Sequence, residues 1–136
     1  MAILLEKEIL LSWERCIKKG IAAKLSSPRI VFSRETVQKN DNTPLLISIF
    51  EKAVESINQF ISIDHLFFLT TPDGILLAKK GTKKNLNIIT SFGIETGSSF
   101  SEESCGTNAI ALAVKLKHPV YLSPEQHFCD FFKSWH

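Results

Sequence analysis

The sequence is short of nearly everything that marks a specialised class of protein. Its three cysteines, Cys16, Cys105 and Cys129, are odd in number and show no C-x-x-C spacing, which argues against a disulfide framework and a zinc knuckle. It also lacks an excess of charge: 16 basic against 14 acidic residues leave a formal +2, too small a balance to point to nucleic acid. No apolar run approaches the length of a membrane span, and the start, Met1 to Glu8, is broken by charge too early for a signal peptide. These absences predict a soluble, unexported protein of the cytoplasm that makes no contact with membrane. His65, His118, His127 and His136 are scattered, so no metal site built from His127 with Cys105 and Cys129 is expected.

What is present is an ordinary globular composition. At 136 residues, 44% hydrophobic and 22% charged, the chain suits one domain with a real core. From Ile3 to Lys19 the residues Leu5, Ile9, Leu10, Trp13, Cys16 and Ile17 recur at helical spacing, and Gly20 stands where a C-terminal cap belongs. Residues 21–42 read as a connector, bracketed by Ser-Ser-Pro at 26–28 and Lys-Asn-Asp-Asn at 39–42, with a short helix begun by Ser33. Thr43-Pro44 supplies an N-cap and first-turn proline for a second long helix. Its apolar face, from Leu45 to Ile61, is broad enough to need either the domain's own sheet or another subunit.

After His65 the period changes. Leu66 to Thr71, Pro72-Asp73-Gly74 and Ile75 to Ala78 form an apolar run, a turn and a second apolar run, which predicts a β-hairpin covered on both faces. Lys79, Lys80, Lys83 and Lys84 cluster around Gly81 and Thr82 in an expected hairpin or loop, where such a charge run is solvated, and Leu86 to Thr90 suits a short helix or strand. A helix is expected from Thr107 to the region of Pro119, then a strand at Val120 to Leu122. A last helix is expected from Ser123-Pro124, with Phe128, Phe131, Phe132 and Trp135 on its apolar side.

The densest polar stretch is Phe100 to Ile110, where two carboxylates, a thiol and a Thr-Asn pair precede an alanine-rich helix. Free backbone N–H groups and the helix dipole at such a start can hold a carbonyl or carboxylate, which makes Thr107 and Asn108 candidate contacts. Capping explains the same residues without a ligand. Glu102 and Glu103 fit first-turn acids better than catalytic carboxylates, and their charge favours a neutral or hydroxyl-bearing ligand over an anion. Cys105 as a nucleophile would need a base and a lowered pKa, neither of which the sequence displays.

Several pieces together carry a family resemblance: Ser12-Trp-Glu-Arg-Cys16 with Gly20, the Leu69 to Leu77 turn segment, Ser101-Glu102 followed by Gly106-Thr-Asn-Ala-Ile110, Pro119-Val120, and His127-Phe128 with Trp135. Spread over essentially the whole chain, they resemble the N-terminal sensory region of sigma-54-dependent transcription activators of the acetoin catabolism regulator type. That resemblance implies an α+β, GAF-like fold, with an antiparallel sheet, helices packed on it and a small-molecule pocket. It places an N-terminal helical segment and connector at residues 1–42 and the sensory domain at residues 43–136, short of the last strands such a domain usually has. The family has Trp where Phe100 stands and Glu where Gln126 stands, differences that bear on the ligand.

The implied function is small-molecule sensing that controls a downstream ATPase and DNA-binding domain. No G-x-x-x-x-G-K-[ST] loop is present, so ATP hydrolysis is not assigned to this chain. The expected ligand contacts are Phe100, Glu102, Cys105, Thr107, Asn108, His127 and Phe128, with no catalytic residue, no metal and no cofactor. The expected partners are a small metabolite and a second copy joined through the N-terminal helices. The alternative is a dimerisation or docking module without a ligand, and a remote one is a cysteine-dependent sulfoxide reductase of GAF fold.

Overall fold

The computed structural model describes residues 2–38 and 40–133, so the expectations placed on Trp135 and His136 lie outside the described residues. Helix α1 runs Ala2–Lys18. It ends in a Schellman motif, in which Ile21 N–H donates to the Cys16 carbonyl (3.0 Å) and Gly20 N–H to the Ile17 carbonyl (3.1 Å), with Gly20 at φ 71°. Ile9, Ser12 and Cys16 form its buried stripe, while Leu10 and Ile17, expected on that stripe, are exposed. The stripe is narrower because the side facing the domain is defined by the polar Ser12 as well as by apolar residues.

The connector holds helix α2 (Arg34–Val37), begun by Ser33, whose side chain accepts from Thr36 N–H as expected. Helix α3 (Thr43–Asn58) starts one residue earlier than expected: Asn42, not Thr43, holds the cap position, without a side-chain cap bond, and Thr43 is the buried first residue of the helix. Strands β1 (Leu66–Thr70) and β2 (Leu76–Gly81) pair antiparallel from Leu66 opposite Gly81 to Thr70 opposite Leu76. Of the hairpin and loop expected for the lysine cluster, Lys79 and Lys80 lie in the hairpin, on β2: Lys79 donates to the Ile94 carbonyl, and Lys80 pairs with Glu51 of α3.

Backbone hydrogen bonds continue this sheet beyond its two strands. Leu76 N–H donates to Ser98 O and Phe100 N–H to Gly74 O, and on the far side Phe32 N–H donates to Gly97 O and Ser99 N–H to Ile30 O. Gly97 makes this layering possible: at φ 101° a Cβ there would stand 2.0 Å from the Phe32 carbonyl oxygen.

Helix α4 spans Lys83–Ser91, capped by Thr82, so the 86–90 segment is helical. A single turn, α5 (Glu102–Cys105), precedes helix α6 (Ala109–Leu116). Helix α6 begins two residues after Thr107, because Asn108 is its extended N-cap, and it stops at left-handed Lys117 before Pro119 is reached. Val120 to Leu122 takes no regular structure and joins no ladder among the described residues, and a strand exists only with a partner. The last expected helix is broken in two, a 3₁₀ turn at Pro124–Gln126 and helix α7 (Asp130–Lys133), since the Ser123/Gln126 capping box is spent on one turn.

The core lies between the hairpin and the C-terminal half of the chain. Phe100 is fully buried, stacks on Phe68 of β1 at 5.4 Å and lies 6.4 Å from Phe132 of α7. With α3 on the other face of the hairpin, the strands are covered on both sides.

Candidate functional site

Residues 98–108 form a knot of hydrogen bonds. Ser101 caps α5 by accepting from Ser104 N–H, and the buried Ser104 hydroxyl accepts from Ile30 N–H at 2.9 Å. The Cys105 thiol donates to the Ser99 carbonyl at 3.1 Å. Burial, eased slightly by the Ser104 hydroxyl, pushes that thiol up to about 12, and burial with Cys16 nearby pushes Cys129 up to about 11. Both stay protonated at neutral pH, without the thiolate character a nucleophile requires. Gly106, at φ 71°, closes the turn where a Cβ would come within 2.9 Å of Cys129 Sγ.

Asn108 is bonded wholly inward. Its amide NH₂ donates to the carbonyls of Phe100 (2.7 Å) and Gly106 (2.9 Å), and its Oδ1 accepts from Ala111 N–H (2.9 Å). Thr107 faces α1. Arg15 clamps Glu102 with two charge-assisted bonds of 2.9 and 2.7 Å, and Ser12 Oγ donates to the same carboxylate at 2.8 Å. Burial alone would raise the Glu102 pKa, but the bonds from Arg15 and Ser12 and the Arg15 charge outweigh it and hold the carboxyl below its ordinary range. Because that carboxylate only accepts, Ser12 gives it its proton, and Thr107 Oγ1, 2.6 Å away, must donate to Ser12. The Cys16 thiol, 3.6 Å from Thr107 Oγ1, completes a chain running in one direction from Cys16 to Glu102.

A cavity of about 330 Å³ opens on the other side of this turn, against Asn108 and the start of α6. Phe68, Ile110, Leu122 and Phe132 supply apolar wall, and His127 lines it with Asn108. His127 Nδ1 lies 2.9 Å from the Ser123 carbonyl, and its ring stacks on Phe132 at 5.0 Å. Burial lowers its pKa, partly offset by the backbone carbonyls of Ser123 and Pro124, so the ring is neutral at pH 7. A broader cleft of about 430 Å³ between Trp13 and Glu125 lies away from the motif.

Of the residues singled out in the sequence, Asn108 and His127 meet at the cavity. Phe100 and Cys105 lie in the core behind it, and Phe128 packs edge-on against Trp13 at 5.1 Å. Glu102 and Thr107 are joined to α1. Sequence reasoning missed Phe68, Ile110, Leu122 and Phe132 as wall residues and Arg15 as the partner of Glu102. The only sequence signal for the latter was Arg15 lying within the Ser-Trp-Glu-Arg-Cys run.

No family model matches the chain. Among curated proteins it is 25% identical over 133 residues to the acetoin dehydrogenase operon transcriptional activator AcoR of Bacillus subtilis, covering 96% of this chain and 22% of that protein. It is 28% identical over 129 residues to a signal-transduction and transcriptional-control protein of Clostridium beijerinckii, covering 91% of this chain and 20% of that one. The chain thus spans about a fifth of the length of these relatives. Among solved structures it superposes on a chain of the E. coli DhaR(N)-DhaL complex with a TM-score of 0.78 and 22% identity, covering 93% of this chain and 44% of that one. The chain is therefore homologous, at low identity, to part of transcription activators of the AcoR type, and it has the GAF-like α+β fold of DhaR(N).

Proposed function

We propose that the chain is a small-molecule-sensing regulatory domain of a bacterial sigma-54-dependent transcription activator. Residues 43–136 are the sensor and residues 1–42 the helical segment that reports its state to an ATPase and a DNA-binding domain elsewhere in the activator, all in the cytoplasm. The observation that carries this reading is the cavity beside Asn108 and His127, seated against the same turn that binds α1 through Thr107 and Glu102. A ligand there touches one side of a rigid turn whose other side holds α1. The role is non-enzymatic, since Cys105 and Cys129 are protonated, buried thiols.

Heating the chain against a panel of small alcohols, diols, ketones and carboxylic acids tests the reading. A ligand at about a hundred times its dissociation constant adds about 2.7 kcal/mol, a rise of several degrees in Tm. No shift across the panel would sink it.

A second reading, a dimerisation module that needs no ligand, draws on the outward face of α3. Leu46, Ile49 and Ile57 are exposed there at helical spacing, with Phe60 just beyond the helix end. Such a strip suits a helical bundle across a two-fold axis.

A further inference from the structure

We propose that the cavity beside α6 takes an uncharged, mainly apolar molecule carrying a hydrogen-bond donor, an alcohol or phenol whose O–H is received by Nε2 of His127. The inference rests on the sensor reading and adds the chemistry of the ligand. Among the described residues lining the cavity there is no Lys, Arg, Asp or Glu. A charged ligand would enter with no counter-charge, and an unpaired charge in an apolar pocket is strongly unfavourable. Glu102, the sequence's reason to disfavour anions, does not line the cavity and is neutralised by Arg15. The absence of cations in the lining disfavours them instead.

Two polar side chains remain. Asn108 has both amide hydrogens and its oxygen engaged within the protein. His127 is different. Its Nδ1 lies against the Ser123 carbonyl, which can only accept, so the proton sits on Nδ1 and the neutral ring carries a bare lone pair on Nε2. The described lining side chains therefore offer apolar and aromatic wall and acceptors rather than donors: Nε2 of His127 and the second lone pair of Asn108 Oδ1. A ketone or carboxylate would set lone pair against lone pair, whereas a hydroxyl supplies the missing hydrogen. Size agrees: an apolar cavity of about 150 Å³ holds benzene, so about 330 Å³ has room for a substituted ring or a branched alcohol.

The test is a titration of the full chain with phenol, with anisole, in which a methyl group replaces the hydroxyl hydrogen, and with benzoate, read by backbone amide shifts around Asn108 and by the ¹⁵N resonance of His127 Nε2. Phenol should bind about tenfold tighter than anisole, the ratio expected of one hydrogen bond, with benzoate weakest. Only phenol should move the Nε2 resonance. In His127→Phe the phenol advantage should fall to about twofold or less while anisole binding persists; the resonance in the unaltered protein decides the matter if that variant does not fold. Anisole binding as tightly as phenol, or benzoate binding tightest, would overturn the ligand class while leaving the sensor reading standing. Silence from all three probes together with a flat ligand panel would remove both.

Discussion

Helices α1 and α3 are alike in length, 17 and 16 residues, and in amphipathic pattern, yet they are held in opposite ways. The less exposed side of α3, Thr43, Ile47, Phe50 and Val54, faces the hairpin, and its apolar content runs on around the helix to the exposed Leu46, Ile49 and Ile57. Helix α1 buries Ile9, Ser12 and Cys16 and packs Leu5 and Trp13 against the core, and to this apolar contact it adds oriented polar bonds: Arg15 and Ser12 on Glu102, and Trp13 Nε1 donating to the Gln126 carbonyl at 2.8 Å. Apolar contact tolerates small shifts, whereas a chain of oriented hydrogen bonds has one geometry. Helix α1 is therefore joined to the 98–108 turn by bonds of fixed geometry, whereas α3 presents apolar side chains outward.

The difference can be broken most severely at Arg15. Arg15→Ala leaves the half-buried Glu102 carboxylate without its cation and should cost about 2–3 kcal/mol, toward the low end for a buried pair because Arg15 keeps some solvent. That corresponds to a fall of roughly 10 °C in Tm for a domain this size, measurable by calorimetry; a loss under a degree would show that α1 is held by its apolar stripe alone.

Acid should weaken the same joint more gradually. The folded pKa of Glu102 is depressed from its ordinary 4.5, so its stabilisation is complete above that value and is lost as the pH falls through the depressed folded value. Denaturant midpoints taken down through that range should fall more steeply for the unaltered chain than for Glu102→Gln, and parallel curves would count against the assignment.

The smallest effect on stability is expected on α3. Ile49→Lys on the outward strip should change Tm by about the equivalent of 0.5 kcal/mol or less, because Ile49 is already 54% exposed. Sedimentation would then sharpen the comparison. A dimer that becomes a monomer in Ile49→Lys but not in Leu10→Lys, on the exposed side of α1, would assign self-association to α3; the reverse result would move it to α1.

Much of the fold was readable because it follows from local chemistry. Gly20 after a lysine-ended helix, Ser33 before α2, Pro44 in the first turn of α3 and Pro72-Asp73-Gly74 between two apolar runs each act within a few residues, and each element formed where those residues required. The misreadings were long-range. Lys79 and Lys80 could belong to a hairpin or a loop until β1 is there to pair them, and Val120 to Leu122 looks like a strand but finds no ladder partner among the described residues. The candidate site divides in the same way. Asn108 was legible as a cap and His127 as a nearby polar residue, but Phe68 and Leu122 stand 54 positions apart in the chain and meet only in the folded cavity.

By itself, then, the sequence determined the helices α1 to α3, the hairpin and the capped start of α6, since caps, turns and periodicity act over one or two turns of chain. The tertiary structure alone decided which face of that start is used. It turned Thr107 and Glu102 toward α1, bent every hydrogen-bonding atom of Asn108 inward and left His127 facing an apolar cavity. The reason is physical: a buried polar group must find its partner wherever the fold brings one, and those partners, Ser12 and Arg15, lie some ninety residues away.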